Sequence, residues 1–168
     1  MDRVSSDFIV FPDPRLSMSA HRRPVDDALL EVGRRLLAAA RRVNAYGLAA
    51  VHIGVVEPVV VVSVAASEAR DYRVLYNPAV LSTVGPEETG LEGSVSMPGI
   101  EVAISRPRDA RLRFDDESGE GQELALSGFA ARVAQHEIDQ MNGVFFLNRL
   151  SRLKRDAAIR RFNKVQGR

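Results

Sequence analysis

The sequence predicts an α+β fold, and three observations carry the prediction. Residues 24–43 place apolar side chains every three or four positions, as an amphipathic helix does. Several short alternating or apolar runs between residues 59 and 126 read as strands. A second helical pattern over 127–141 carries the stretch Gln135-His136-Glu137-Ile138-Asp139-Gln140. No internal repeat, low-complexity tract or linker interrupts the 168 residues, so one domain over 1–168 is expected.

Taken in order, Phe8-Ile9-Val10-Phe11 is a short strand candidate stopped by Pro12 and Pro14. In the helix over 24–43, Val25, Leu29, Val32, Leu36, Ala40 and Val43 recur on one face. Asp26 and Asp27 stand in the first turn, where the helix dipole favours anions. Gly47-Leu48-Ala49-Ala50 is a run of small residues that lets backbone approach a neighbour closely, and residues 59–64 form an apolar strand. Residues 73–81 read as an extended segment broken at Asn77-Pro78, and 85–90 as a polar loop. Residues 100–104 make another strand, and 110–114 with 123–126 make a hairpin across an acidic turn. Ser127 is placed to cap the next helix and Gly143 to stop it. In the tail, Leu150, Leu153, Ala157, Phe162 and Val165 share a face opposite a cluster of Arg and Lys, which reads first as solvated surface.

Composition narrows the function classes. A hydrophobic fraction of 45% with a formal net charge of +1 gives no general argument for DNA or a membrane. There is no cysteine, so any metal must rely on histidine, carboxylate or weaker ligands. The opening Met1-Asp2-Arg3-Val4 lacks a signal-peptide pattern, and no apolar run is long enough to cross a bilayer. A soluble cytoplasmic protein is expected.

The chemistry centres on residues 135–140. In a His-Glu-x-x-His helix, two histidines four apart grip one metal and the glutamate serves as general base. Here Gln140 occupies the second position, and a neutral amide is a poor ligand for a transition metal.

Three segments resemble peptide deformylases, which carry Gly-x-Gly-Leu-Ala-Ala-x-Gln, Glu-Gly-Cys-Leu-Ser and Gln-His-Glu-x-Asp-His motifs. The matching stretches are Ala45-Tyr46-Gly47-Leu48-Ala49-Ala50-Val51-His52, Glu92-Gly93-Ser94-Val95-Ser96 and 135–140. Pro12-Asp13-Pro14-Arg15-Leu16, Asn77-Pro78, Arg106 and 150–155 also look like the family, so the resemblance spans nearly the whole chain. It implies antiparallel sheets around a central helix carrying the His-Glu motif, plus a C-terminal helix. It also implies a divalent metal (iron, nickel or zinc), here weakened or absent, because the ligand set becomes Ser94, His136 and Gln140. Glu137 remains the proton handler, His52 and the Val95 amide become the partners of the substrate carbonyl, and Gly47, Leu48, Glu92 and Arg106 shape or support the pocket.

Four uses of these residues stay open. A deformylase with a poor metal is one, and a metal rebuilt on His52 and His136 is another. A metal-free route would use Ser94 as nucleophile with His136 as base. A catalytically inactive binding module for N-formyl or N-acyl peptide ends is the fourth, its polar side chains satisfying one another. The expected partner is a small N-acylated peptide or amino acid, and the resemblance adds ribosome contact as a second use of the basic C-terminal helix.

Overall fold

The computed structural model describes residues 7–65 and 68–167, so the reading of Met1 to Val4 lies outside the described residues. Three helices, α1 (Asp27–Val43), α2 (Gly128–Met141) and α3 (Arg152–Val165), accompany five strands, β1 (Gly47–Ala49), β2 (Val59–Ser63), β3 (Tyr72–Glu92), β4 (Val102–Asp115) and β5 (Gly121–Ser127). The strands form one antiparallel sheet in chain order.

β2 explains the centre of the molecule. It reads Val-Val-Val-Val-Ser, and every residue is buried. Successive side chains leave a strand on opposite faces. Val60 and Val62 therefore pack with Ala134 and Ile138 of α2, while Val59 and Val61 pack with Leu29, Leu36 and Ala40 of α1. A strand covered on both faces needs no polar alternation. Burying each valine contributes about 1.5–3 kcal/mol relative to exposure.

α1 begins where the Asp26 carboxylate accepts the Leu29 amide N–H at 2.9 Å, and ends at Asn44 in the left-handed region. Ser127 holds the N-cap position of α2, yet its side chain makes no capping hydrogen bond. Ten of the 14 residues of α2 are buried, so tertiary packing holds this helix.

Four expectations are corrected. Phe8 to Phe11 is not a strand; its path is held by single bonds from Ile9 N–H to the His52 carbonyl and from Phe11 N–H to the Ser96 carbonyl. Residues 85–90 are not a loop but part of β3, which runs unbroken for 21 residues. Asn77-Pro78 does not end that strand either, because register shifts absorb the irregular residues between Tyr76 and Ala79 and again between Val84 and Glu87. Finally, α3 buries only Ala158 and Phe162, four residues apart, while Leu153 is 77% and Val165 63% exposed. Its seam against Leu16, Met97 and Phe145 is one residue wide. No described helix is long and apolar enough to cross a membrane.

Candidate active site

Three elements converge on one cavity of about 380 Å³. β1 and the 3-10 turn Ala50–Ile53 bring Gly47, Leu48 and His52; the end of β3 and the turn after it bring Glu92, Ser94 and Val95; α2 brings His136 and Glu137. Gly47 is required by close approach, since a Cβ there would lie 2.6 Å from Val133 Cγ1 and 2.9 Å from Glu137 Cγ. Tyr46, Leu91, Phe129 and Val133 add apolar wall, with the Tyr46 and Phe129 rings edge to face at 4.7 Å.

Behind one wall runs a closed network of charges. Glu92 Oε2 accepts from Arg106 Nε at 2.6 Å and from Arg132 Nη1 at 2.8 Å. Its Oε1 accepts from Arg106 Nη2 at 2.9 Å and faces His136 Nδ1 at 2.8 Å. Arg106 continues to Asp139 at 2.9 Å, and Asp139 to Arg149 at 2.7 Å. Burial alone would raise the Glu92 pKa, but the hydrogen bonds from His136 and Arg106 outweigh it and bring the carboxyl down to about 2. Burial disfavours a charged His136, yet the adjacent Glu137 and Glu92 carboxylates lift its pKa above the ordinary imidazole value. Glu92 thus fixes Nδ1 as a donor and leaves Nε2 toward the cavity side of the ring.

Across the cavity the pattern reverses. His52 is 1% exposed, and its Nδ1 accepts the Ala49 amide N–H at 3.0 Å. Burial, with His136 nearby, pushes its pKa down to about 3, so the ring is neutral and carries its proton on Nε2. Glu137 is 4% exposed, and desolvation raises its pKa to about 7. The 3.8 Å between His52 Nδ1 and Glu137 Oε1 is therefore no ion pair. Both His52 Nε2 and Glu137 Oε1 are buried without a hydrogen-bond partner.

The donor set does not fit a divalent metal. Gln140 is absent from the cavity lining, because its Nε2 donates to the Leu16 carbonyl at 2.7 Å and ties α2 to the 3-10 turn Pro14–Ser17. Ser94 lines the cavity, but its hydroxyl oxygen accepts the Ser96 amide at 3.1 Å and is a weak neutral donor to a metal. His52 offers an N–H where a ligand needs a lone pair. His136 Nε2 alone remains suitable, and among the described residues no group of three His, Cys, Asp or Glu could hold a metal ion.

Of the residues expected at the site, His52, His136, Glu137, Ser94, Val95, Gly47, Leu48 and Glu92 line one cavity. Arg106 stands behind it and acts through Glu92, and Gln140 does not join it. No hydrogen bond links Ser94 to His136 among the described residues. Arg132 was not anticipated. It lies one turn before His136 on α2, crosses to Glu92 and binds the Ile104 carbonyl at 2.8 Å. Its i,i+4 spacing from His136 was the available signal.

Comparison with known proteins agrees with this geometry. The family model for polypeptide deformylase matches residues 6–156. The "Peptide deformylase-like" protein of Rhizobium meliloti is 38% identical over 93% of this chain and 90% of its own. The peptide deformylase of Alkalilimnicola ehrlichii is 38% identical over 96% and 92%. Among solved structures, the peptide deformylase of Ehrlichia chaffeensis in complex with actinonin superposes with a TM-score of 0.86 at 29% identity, covering 94% of this chain and 95% of that one.

Proposed function

Since this chain belongs to the polypeptide deformylase family, we propose that it hydrolyses a formamide or related amide at the N-acylated end of an amino acid or short peptide. The carrying observation is Glu137. It is a buried carboxyl on the cavity with an unpartnered oxygen and a pKa of about 7, the range in which a general base works best. The solved relative's complex with actinonin supports a ligand-binding reading of the fold.

The chain's own residues divide the work as follows. Ionised Glu137 takes a proton from water as the water oxygen bonds to the acyl carbon. The oxyanion that forms accepts from His52 Nε2–H and from the Val95 backbone amide. Glu137 then returns the proton to the departing nitrogen, which leaves as a free amine while the acyl group leaves as formate or another carboxylic acid. Glu92 holds His136 in one orientation against the same space. The apolar wall of Tyr46, Phe129 and Val133 receives the side chain of the acylated residue.

A second reading, binding of N-acylated ends without turnover, is favoured by the donor set, which fits no metal. The Ser94 route has no such support, lacking a Ser94–His136 hydrogen bond. A cytoplasmic location belongs to the proposal, as does ribosome contact through the exposed Lys154, Arg160, Arg161 and Lys164 of α3. Formate release from a formyl-Met peptide by the purified chain tests the main reading. Release that disappears in Glu137→Gln supports it, and saturable binding with no release selects the binding module.

A further inference from the structure

The two unpartnered groups on the cavity are of opposite kind. His52 accepts the Ala49 amide at Nδ1, so Nε2 carries a hydrogen and can only donate. Glu137 Oε1 accepts. Each is fully desolvated, and a buried polar atom left unmatched costs about 1–3 kcal/mol. Ser96 Oγ is also buried and unmatched, but Ser96 does not line the cavity. The demand for a partner in this space is thus one acceptor and one donor, placed by β1's turn on one side and α2 on the other.

A divalent cation supplies neither. It needs lone pairs from several sides, and it would meet the His52 N–H and only one free imidazole nitrogen, that of His136. The other donors are held by bonds that build the fold: Gln140 to Leu16, Ser94 to Ser96. A secondary amide presents the required pair on adjacent atoms, a carbonyl oxygen that accepts and an N–H that donates. Water meets both demands in the free protein and is displaced when the amide enters.

We infer that one amide group of the ligand, and no divalent cation, occupies this space, with its carbonyl on His52 Nε2–H and its N–H on Glu137 Oε1. The inference rests on the proposed function for the class of ligand. It adds which side chain takes which atom, and it requires the amide to be secondary.

The test compares N-formyl-methionyl-alanine with two analogues, one methylated on the formyl-bearing nitrogen and one on the alanine nitrogen. Affinity is measured calorimetrically, formate is read in parallel, and metal content is determined on protein expressed with added zinc, nickel and iron. Methylation of the formyl nitrogen is expected to weaken binding about 10- to 100-fold, methylation of the alanine nitrogen far less. Metal should stay well below one per chain, and chelation should leave affinity unchanged. A Ser94→Cys, Gln140→His variant should gain metal affinity by about 100-fold or more, as a positive control. Equal weakening by the two methyl groups, or stoichiometric metal whose removal abolishes binding, overturns the inference. Binding in this pattern without formate overturns hydrolysis alone; formate released only by metal-loaded protein overturns this inference alone.

Discussion

The two sides of α2 treat buried charge in opposite ways. Toward β3 and β4, Glu92, Arg106, Arg132, Asp139 and His136 form a network in which both Glu92 oxygens are doubly engaged. Toward β1, the neighbouring Glu137 and His52 each keep an atom with no partner. The two carboxyls stand on one cavity, yet Glu92 is held at a pKa of about 2 and Glu137 at about 7. Pairing sets that difference, since desolvation raises both. A satisfied network holds geometry, and an unsatisfied pair holds free energy for a ligand.

Substitutions can break this contrast, starting with the largest effect. Glu137→Gln should reduce formate release by about 10²- to 10⁴-fold while leaving unfolding by urea within about 1 kcal/mol of the parent, because it removes a proton handler that no protein group pairs with. A loss of stability as large as the loss of rate would erase the distinction. On the other side, Glu92→Ala strands three cationic partners and should cost about 3–5 kcal/mol in the same urea experiment. A cost below about 1 kcal/mol would mean that the network does not hold the site.

Gly47→Ala sharpens the comparison at the seam between β1 and α2. Its methyl would meet Val133 and Glu137, so a cost of about 1–3 kcal/mol is expected by thermal unfolding, together with a raised KM. An unchanged KM would separate the seam from the cavity.

The smallest effect is in pH dependence, where the two carboxyls have opposite signs. Glu92, lowered from 4.5 to about 2, contributes stability that is present above pH 4.5 and lost as pH falls toward 2. Glu137, raised from 4.5 to about 7, works the other way: the folded state holds the proton more tightly, so stability falls as pH rises from 4.5 to 7. Glu137→Gln should flatten stability across that upper window, and Glu92→Gln should flatten it across the lower one. Formate release by the parent should rise through pH 7 as Glu137 ionises. A rate that falls across that range would assign the base role elsewhere.

Much of the fold was legible because periodicity is local. The α1 pattern, the apolar run of β2, the hairpin of β4 and β5 and the length of α2 all follow from side-chain spacing. β3 was not, since an edge strand exposed to water carries the same polar, Gly-Pro-bearing composition as a loop, and its partner β4 alone makes residues 85–90 a strand. Leu153 and Val165 misled for a related reason. They share the apolar stripe of α3, but only the Ala158–Phe162 seam finds a surface to pack on.

At the site, the identities and roles of Glu137, His136 and Glu92 could be read from motifs, because chemistry constrains residue type at fixed spacing. Which atoms those side chains spend on the fold could not. The Ala49 N–H that fixes the proton of His52 on Nε2, the Leu16 carbonyl that takes the Gln140 amide and the Arg132 guanidinium on Glu92 are all matters of hydrogen-bond partnership. Spacing along a chain selects elements and candidate residues, since both depend on neighbours a few positions away. Whether a candidate's lone pair or proton remains free depends on groups 40 or 124 residues distant, as for Arg132 with Glu92 and Gln140 with Leu16, and only folding brings those together.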